Sequence, residues 1–310
     1  MKKLLSLLSA AALLLCLISC GETANPANPS DPSAGPGTTS TTPTDPKDSE
    51  FSDYDFKTGY DEASAGKIVF DGTAATATSG AAVSGGKVTI TKAGTYLVSG
   101  TATEGQLVIN VDKAEKVHLV LNGVDLTCAH SAPIYVMSAD KVKITLAEGT
   151  TNKLTDGTVY TDLINDTEPT GCLFSKDDLT INGKGTLSVT GNYNNGIACK
   201  NDLHIVEGTI FVKAVNHGLK GKDSVAIAGG HINISAGNDG IKANEAADAA
   251  KGYIKITGGE ISILATDDGL QAVTGITITG GKVTVTAGGK ATNCEVTPRI
   301  ASGSLTVVGE

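Results

Sequence analysis

From residue 88 onward, apolar and polar residues alternate with a period of two, in short runs separated by Gly, Asn and Asp. KVTI, TYLVSG, GQLVINV, VHLVLNGVDL, APIYVM and KVKITLA come first, loosely spaced. Residues 178–289 then repeat, as in DLHIVEGTIFVKAVNHGLKGK followed by SVAIAGGHINISAGNDGIKAN. Gly196, Gly218, Gly240 and Gly269 are spaced by 22, 22 and 29 residues, and Gly208, Gly230, Gly259 and Gly281 by 22, 29 and 22. Both series place one seven-residue insertion around Asn244–Lys251. A fixed period of this length marks a solenoid. Within each unit the period of two (Leu203, Ile205, Ile210, Val212) predicts strands buried on one face. Gly and Asn at the corners are expected to supply left-handed backbone. No segment has room for a crossover helix. The prediction is all-β: a single-stranded right-handed parallel β-helix with coils of about 22 residues.

Outside the repeat the expectations are looser. Phe51, Tyr54, Phe56, Tyr60 and Phe70 cluster in an irregular stretch, residues 51–85, and are expected to pack on the first coil as a cap. The polar excursion Glu148–Gly171 carries five carboxylates and reads either as the wall of a groove or as a solvated loop. After Gly289 the pattern fades, with Ser304–Val308 a candidate last strand.

Composition and the ends add localisation. Lys2 and Lys3 precede an apolar run, the layout of a signal peptide. Leu17-Ile18-Ser19-Cys20 resembles a bacterial lipobox, which implies cleavage before Cys20 and lipid on its thiol. Residues 21–50 hold six of the nine prolines and no large aliphatic residue, so they read as a tether. The expected organisation is a lipoprotein signal peptide at 1–19, a lipid-anchored linker at 20–50 and a β-helix at 51–310. The chain would sit in the cell envelope outside the cytoplasm, meeting the membrane through the lipid anchor only. Without the leader, 22 basic residues face 33 acidic ones, which argues against nucleic acid or an anionic membrane face as partner. Cys128, Cys172, Cys199 and Cys294 show no metal-ligand spacing and are expected as reduced, inert thiols in a monomer.

In a β-helix, equivalent residues stack ~4.8 Å apart, so alignment yields columns. Asn194, Asn216, Asn238 and Asp267 form one column, read as an amide ladder that satisfies the bend. Asn195, His217, Asp239 and Asp268 form the next. There Asp239 and Asp268 would be neighbours of like charge, unfavourable unless solvent, a proton or a cation intervenes. Calcium suits carboxylates, amides and bend carbonyls, making Asp239, Asp268, Asp267, Asn238 and Asn195 candidate ligands; solvated turn aspartates are the alternative. Lys220, Lys242 and Gln271 form a third column beside these, and Lys176, Lys200 and Lys222 a fourth. Lys220, Lys242, Lys222, Lys200 and Gln271 read either as a strip for an acidic sugar chain or, for the fourth column, as charge alternation on a solvated face.

LVLNGVDL, APIYV, FSKDDLTINGKGTLSVTGNYNNGI, HGLKGKDSVAI and NDGIKAN together resemble a family of bacterial cell-surface carbohydrate-binding proteins. The resemblance implies a calcium-binding parallel β-helix akin to pectate lyases, binding cellulose or polygalacturonate with little or no catalysis. Onto this chain it carries Asp239-Gly240-Ile241-Lys242 and Asp268-Gly269-Leu270-Gln271. The absence of Trp argues against a flat stacking platform for cellulose, and a single Arg, Arg299, leaves essentially no bidentate clamps. The expected function is calcium-dependent binding of a uronate-containing polysaccharide. The alternatives are a calcium-dependent polysaccharide lyase with Lys220 or Lys242 as base, and an adhesive surface stalk.

Overall fold

The structure is a computed structural model in which residues 50–78, 80–163 and 167–308 are described. The expected leader, Cys20 and the linker up to residue 49 lie outside these residues. The chain divides into two units, residues 1–46 and 47–310, and the second is the β-helix.

Among the described residues the strands form an 18-stranded and a 10-stranded sheet, nearly all parallel. The larger sheet is folded lengthwise, because the strand Lys116–Cys128 pairs through its first half with Lys141–Leu146 and through its second half with Thr151–Asp156. Each coil therefore has three walls. The first wall carries Lys141–Leu146, Asp178–Gly183, Asp202–Ile205, Ser224–Ile227 and Tyr253–Ile256. The second carries Thr186–Gly191, Thr209–Ala214, His231–Ala236, Glu260–Ala265 and Lys282–Ala287. The third carries Gly171–Ser175, Asn195–Cys199, Leu219–Gly221, Ile241–Ala243 and Leu270–Ala272. This is the predicted parallel β-helix, in the predicted register: Ser175, Cys199, Gly221, Ala243 and Ala272 stack as one small inward column. Cys128, Cys172, Cys199 and Cys294 are free thiols, and burial raises all four.

The two glycine series have different physical causes. Gly208, Gly230, Gly259 and Gly281 have φ of 125°, 94°, 93° and 79°, the left-handed corner conformation expected of them. Gly196, Gly218, Gly240 and Gly269 do not. A Cβ on Gly218 would land on Ile234 Cγ2 and 2.7 Å from the carbonyl of Gly240 in the next coil. The same conflict recurs at Gly240, with Ile263 and the Gly269 carbonyl. These residues are glycine because the core and the neighbouring backbone leave no room.

The aromatic cluster does something other than cap the end. Only Phe70 enters the core, on a strand that pairs with Gly94–Ala102 to begin the stack. Residues 50–60, including the short helix Asp53–Phe56, lie lengthwise across the outside of the first wall. Glu50 accepts a hydrogen bond from Tyr253, and Phe51 packs on His204 with centroids 5.0 Å apart. Asp55 accepts from Thr180 at 2.6 Å and pairs with Lys141 at 3.1 Å. Lys143 donates to the carbonyls of Lys57 (2.7 Å) and Tyr54 (3.3 Å), and Tyr60 meets His118 edge-on. The first wall is thus buried on both faces, and outward polar residues such as Lys143, Thr180, Asn182 and His204 are covered. A strap that anchors through polar partners can hold a polar wall because its buried groups find hydrogen bonds; His204 is the exception, its ring nitrogens standing 3.9 Å from Asp55 and 4.0 Å from Glu50 with no hydrogen bond among the described residues.

One consequence is a pH dependence. Burial, with Lys143 nearby, lowers His118 from 6.5 to about 4, while its Nε2 lies 2.7 Å from Thr145 Oγ1. The unfolded chain binds a proton there at a higher pH than the folded one. Stability is therefore present above the unfolded value and lost as pH falls from about 6.5 to about 4, by about 3 kcal/mol. Urea midpoints at pH 7 and pH 4 should show a smaller acid loss in His118→Gln than in the native chain. Equal losses would remove His118 as the cause.

Of the two remaining expectations, the excursion changes, while the last strand at Ser304–Val307 is the expected one with further coil strands ahead of it. The excursion after Glu148 first forms a core strand, Thr151–Asp156, with Leu154 fully buried. At the other end the coils continue, with Thr292–Asn293, Arg299–Ile300 and Ser304–Val307 each pairing in register on the coil before.

Candidate functional site

The corner between the second and third walls carries the predicted columns. In the outer one the Asn216 amide donates to Asn194 Oδ1 at 2.7 Å, and the backbone of each member bonds to the next, from Asn194 through Asn216 and Asn238 to Asp267. In the inner one each side chain accepts the backbone N–H of the following coil. His217 N reaches Asn195 Oδ1 (3.3 Å), Asp239 N reaches His217 Nδ1 (3.3 Å), Asp268 N reaches Asp239 Oδ1 (3.1 Å) and Lys290 N reaches Asp268 Oδ1 (2.8 Å). The column therefore closes the corner of every coil, a structural task shared by Asn, His and Asp.

The carboxylates carry more than this task requires. One oxygen each from Asp239, Asp267 and Asp268 lie within 4.8 Å of one another. Asp239 Oδ2 also takes Lys242 Nζ at 2.8 Å and stands 3.2 Å from His217 Nδ1. Burial alone would raise Asp239, but the Lys242 ammonium at Oδ2 and the Asp268 N–H at Oδ1, with the His217 ring beside them, outweigh it and hold the group down at about 2. Burial lowers His217 despite that carboxylate. Asp268 Oδ2 accepts from Asn293 Nδ2 at 2.6 Å. Asp267 is exposed, and its carboxylate accepts no hydrogen bond among the described residues.

Three hard oxygen ligands with no sulfur in the set fit calcium in chemistry. Asp267 is free to bind, and Asp239 and Asp268 each retain unused lone pairs. Asn238 adjoins the cluster through its carbonyl, which accepts from Asp267 N at 3.3 Å. Asn195 does not belong to it: it stands two coils from Asp239, and its amide is committed to His217 N and to the Thr170 carbonyl.

The lysines separate into two groups. Lys200 and Lys222 stand at the corner between the third and first walls, and neither is free: Lys200 pairs with Glu168 and Lys222 with Glu245 at 2.6 Å. Lys176 shares Glu168 at 3.4 Å. The anticipated strip along this column is thus neutralised by carboxylates from distant segments. Lys220, Lys242 and Gln271 form the outward column of the third wall, in register with one another and with Ala198 before them.

That outward column has a roofed end and an open end. Tyr135, Phe174 and Ala198 are buried together outside the core, with the two rings 5.5 Å apart. Glu168 reaches this end from the segment after Gly157, and burial together with its charge pushes Tyr135 up to about 12. Past Ala198 the roof stops. Lys220 is half-buried, lowered by burial and by Lys242, and has no ion-pair partner among the described residues. Gln271 Oε1 is buried without a hydrogen-bond donor. Sequence reasoning missed Glu168 and Asn293; Asn293 follows Gln271 by 22 residues and so could have been placed in its column.

Comparison with known proteins follows the same lines. A family model described as carbohydrate-binding domain-containing protein matches residues 84–307. A protein of Acetivibrio thermocellus with that description is 48% identical over 151 residues, an alignment covering 48% of this chain and 53% of the other. This chain thus spans about half the length of that relative. A solved structure, a gadolinium derivative of a polysaccharide lyase-like protein from C. thermocellum, superposes with a TM-score of 0.76 at 46% identity. It covers 79% of this chain and all of that one.

Proposed function

This chain belongs to the carbohydrate-binding domain-containing protein family, and on that premise we propose that it binds an acidic polysaccharide at the open end of the third wall. The observation that carries this reading is Lys220, a half-buried ammonium left without a carboxylate while Lys176, Lys200, Lys222 and Lys242 all have one. A sugar carboxylate supplies the missing partner. Lys242 continues the contact on the next coil, and Gln271 stands one coil beyond it in the same column. A calcium ion at Asp239, Asp267 and Asp268 would neutralise the corner and offer further coordination to a uronate. A lipid at Cys20 would hold the protein outside the cytoplasm, where such a polymer is met.

Affinity electrophoresis in polygalacturonate gels tests the reading. The native chain should be retarded, and Lys220→Ala should weaken retention about tenfold, the loss of one charge-assisted contact. Because burial lowers Lys220, retention should fall as pH rises, starting below the pH at which an ordinary lysine titrates. Chelator should lower both retention and melting temperature, and Asp267→Asn with Asp268→Asn should abolish the second effect. No retardation of the native chain with or without calcium would exclude sugar binding here.

One observation favours a lyase as the second reading. The lowered Lys220 could, as a free amine, remove the proton beside a uronate carboxyl while the glycosidic oxygen leaves from the adjacent carbon as an alcohol. Unsaturated product absorbance in the same samples decides: turnover lost in Lys220→Ala would establish an enzyme, and no absorbance gain a binder.

A further inference from the structure

The second wall carries a feature that neither the corner nor the third wall uses. Its strands alternate strictly between core and surface, and their outward side chains line a groove of about 480 Å³. Phe211 and Leu264 lie in it, 44% and 56% exposed, although each could have been a polar residue at no cost to the core. Phe211 stacks in register on Asn233 and Ser262; Lys213 stacks on Ser235 and Leu264. The two apolar groups therefore stand two coils apart, roughly 10 Å along the axis, on a rigid sheet. Between them are an amide and two hydroxyls.

The charge of the groove is as specific as its shape. In a chain with 33 acidic residues, no carboxylate lines it. Its single charged side chain is Lys213, which has no ion-pair partner among the described residues. Glu260, on the same wall, lies at the strand end outside it and is paired with Lys282 at 3.2 Å. An anionic occupant is therefore favoured, and a strongly cationic one is not. Apolar platforms alternating with hydroxyl and amide groups match a sugar chain, whose rings present C–H faces and whose edges present hydroxyls.

We propose that this groove is a second glycan-binding surface, which takes a uronate-bearing polysaccharide with ring faces on Phe211 and Leu264 and a carboxylate on Lys213. The inference rests on the glycan-binding reading above but concerns a different wall. Two surfaces on one rigid body would raise avidity for a long chain or bridge two chains.

Retention of the full chain in polygalacturonate gels, against neutral hydroxyethylcellulose gels, provides the test. Phe211→Ser with Leu264→Ser should weaken retention about tenfold, through lost apolar contact. Lys213→Gln should weaken it about threefold in polygalacturonate and leave hydroxyethylcellulose unaffected. Melting curves of these surface variants should match the native chain. If the double variant is retained like the native chain while Lys220→Ala is not, the second surface is wrong and the first stands. If the native chain is not retarded at all, both are wrong. Equal loss in both gels, with no effect of Lys213→Gln, would overturn the assignment of a carboxylate. A change in sedimentation coefficient in the double variant would instead identify the groove as a contact between copies of this chain.

Discussion

Asp55→Ala should lower the stability of the β-helix by about 3–5 kcal/mol, the cost of removing one partner from a buried charge pair. Asp55 is fully buried. Burial works against its ionisation, yet the donors of Thr180 and Ser52, with the His204 ring 3.9 Å away, hold the carboxyl well below the usual carboxylate range. Lys141, partly buried, answers its charge at 3.1 Å. Without Asp55 that ammonium and the Thr180 hydroxyl are left under a strap no longer tied to them. Asp53→Ala, two residues away on the exposed side, should change stability by less than about 0.5 kcal/mol. The measurement is urea unfolding together with amide exchange on strands Lys141–Leu146 and Asp178–Gly183, whose protection should fall in Asp55→Ala alone. Identical midpoints and protection in the two variants would mean the strap is not held at this point. The sign with pH is also fixed. A depressed carboxyl contributes stability above its unfolded value near 3.9 and loses it as pH falls through the folded one, so the native chain should lose stability below about pH 4 more steeply than Asp55→Asn.

Gly218→Ala is the second large effect, expected at about 3 kcal/mol, at the upper end of overpacking penalties. One conflict, with Ile234, could relax by a side-chain shift. The other is with the Gly240 carbonyl, which is fixed by its own hydrogen bond from Leu219 N at 3.0 Å. Because a solenoid is stabilised coil against coil, the damage should appear as a separate early transition as well as a lower midpoint. Gly59→Ala is the control, since a Cβ there meets nothing within 4 Å. A single unshifted transition in Gly218→Ala would show that the coils can separate at little cost.

What could be read in advance divides along a physical line. Coil length, the position of the insertion and the stacking of Ser175, Cys199, Gly221, Ala243 and Ala272 are periodic, and periodicity is visible in a sequence. The strap and the roof are not periodic. Asp55 meets Thr180 across 125 residues, and Glu168 meets Lys200 across 32. Nothing local in the sequence announces the cover over outward Lys143, Thr180, Asn182 and His204. The site shows the same division. The register that sets Asp239 beside Asp268, and Lys220, Lys242 and Gln271 in one column, follows from the repeat. Which lysines remain free was decided by Glu168 and Glu245, residues outside the regular repeat. The alternating strand pattern did contain the exposed Phe211 and Leu264, but two apolar residues at outward positions carry meaning only once their coils are stacked.

The strap also determines how the molecule bears load. It leaves the first wall at Glu50, beside Tyr253, and runs back over His204, Thr180 and Lys143 to His118 before the chain enters the first coil. A pull on the chain ahead of Glu50 is therefore applied to the flank of the β-helix and not to its end. If the pull is directed away from the wall, the contacts open one after another, beginning with Glu50–Tyr253, and each rupture lengthens the chain while the coils stay intact. If it is directed along the axis, the same contacts share the force and resist together. Under load the strap would then act as a fastening whose strength depends on the direction of pulling.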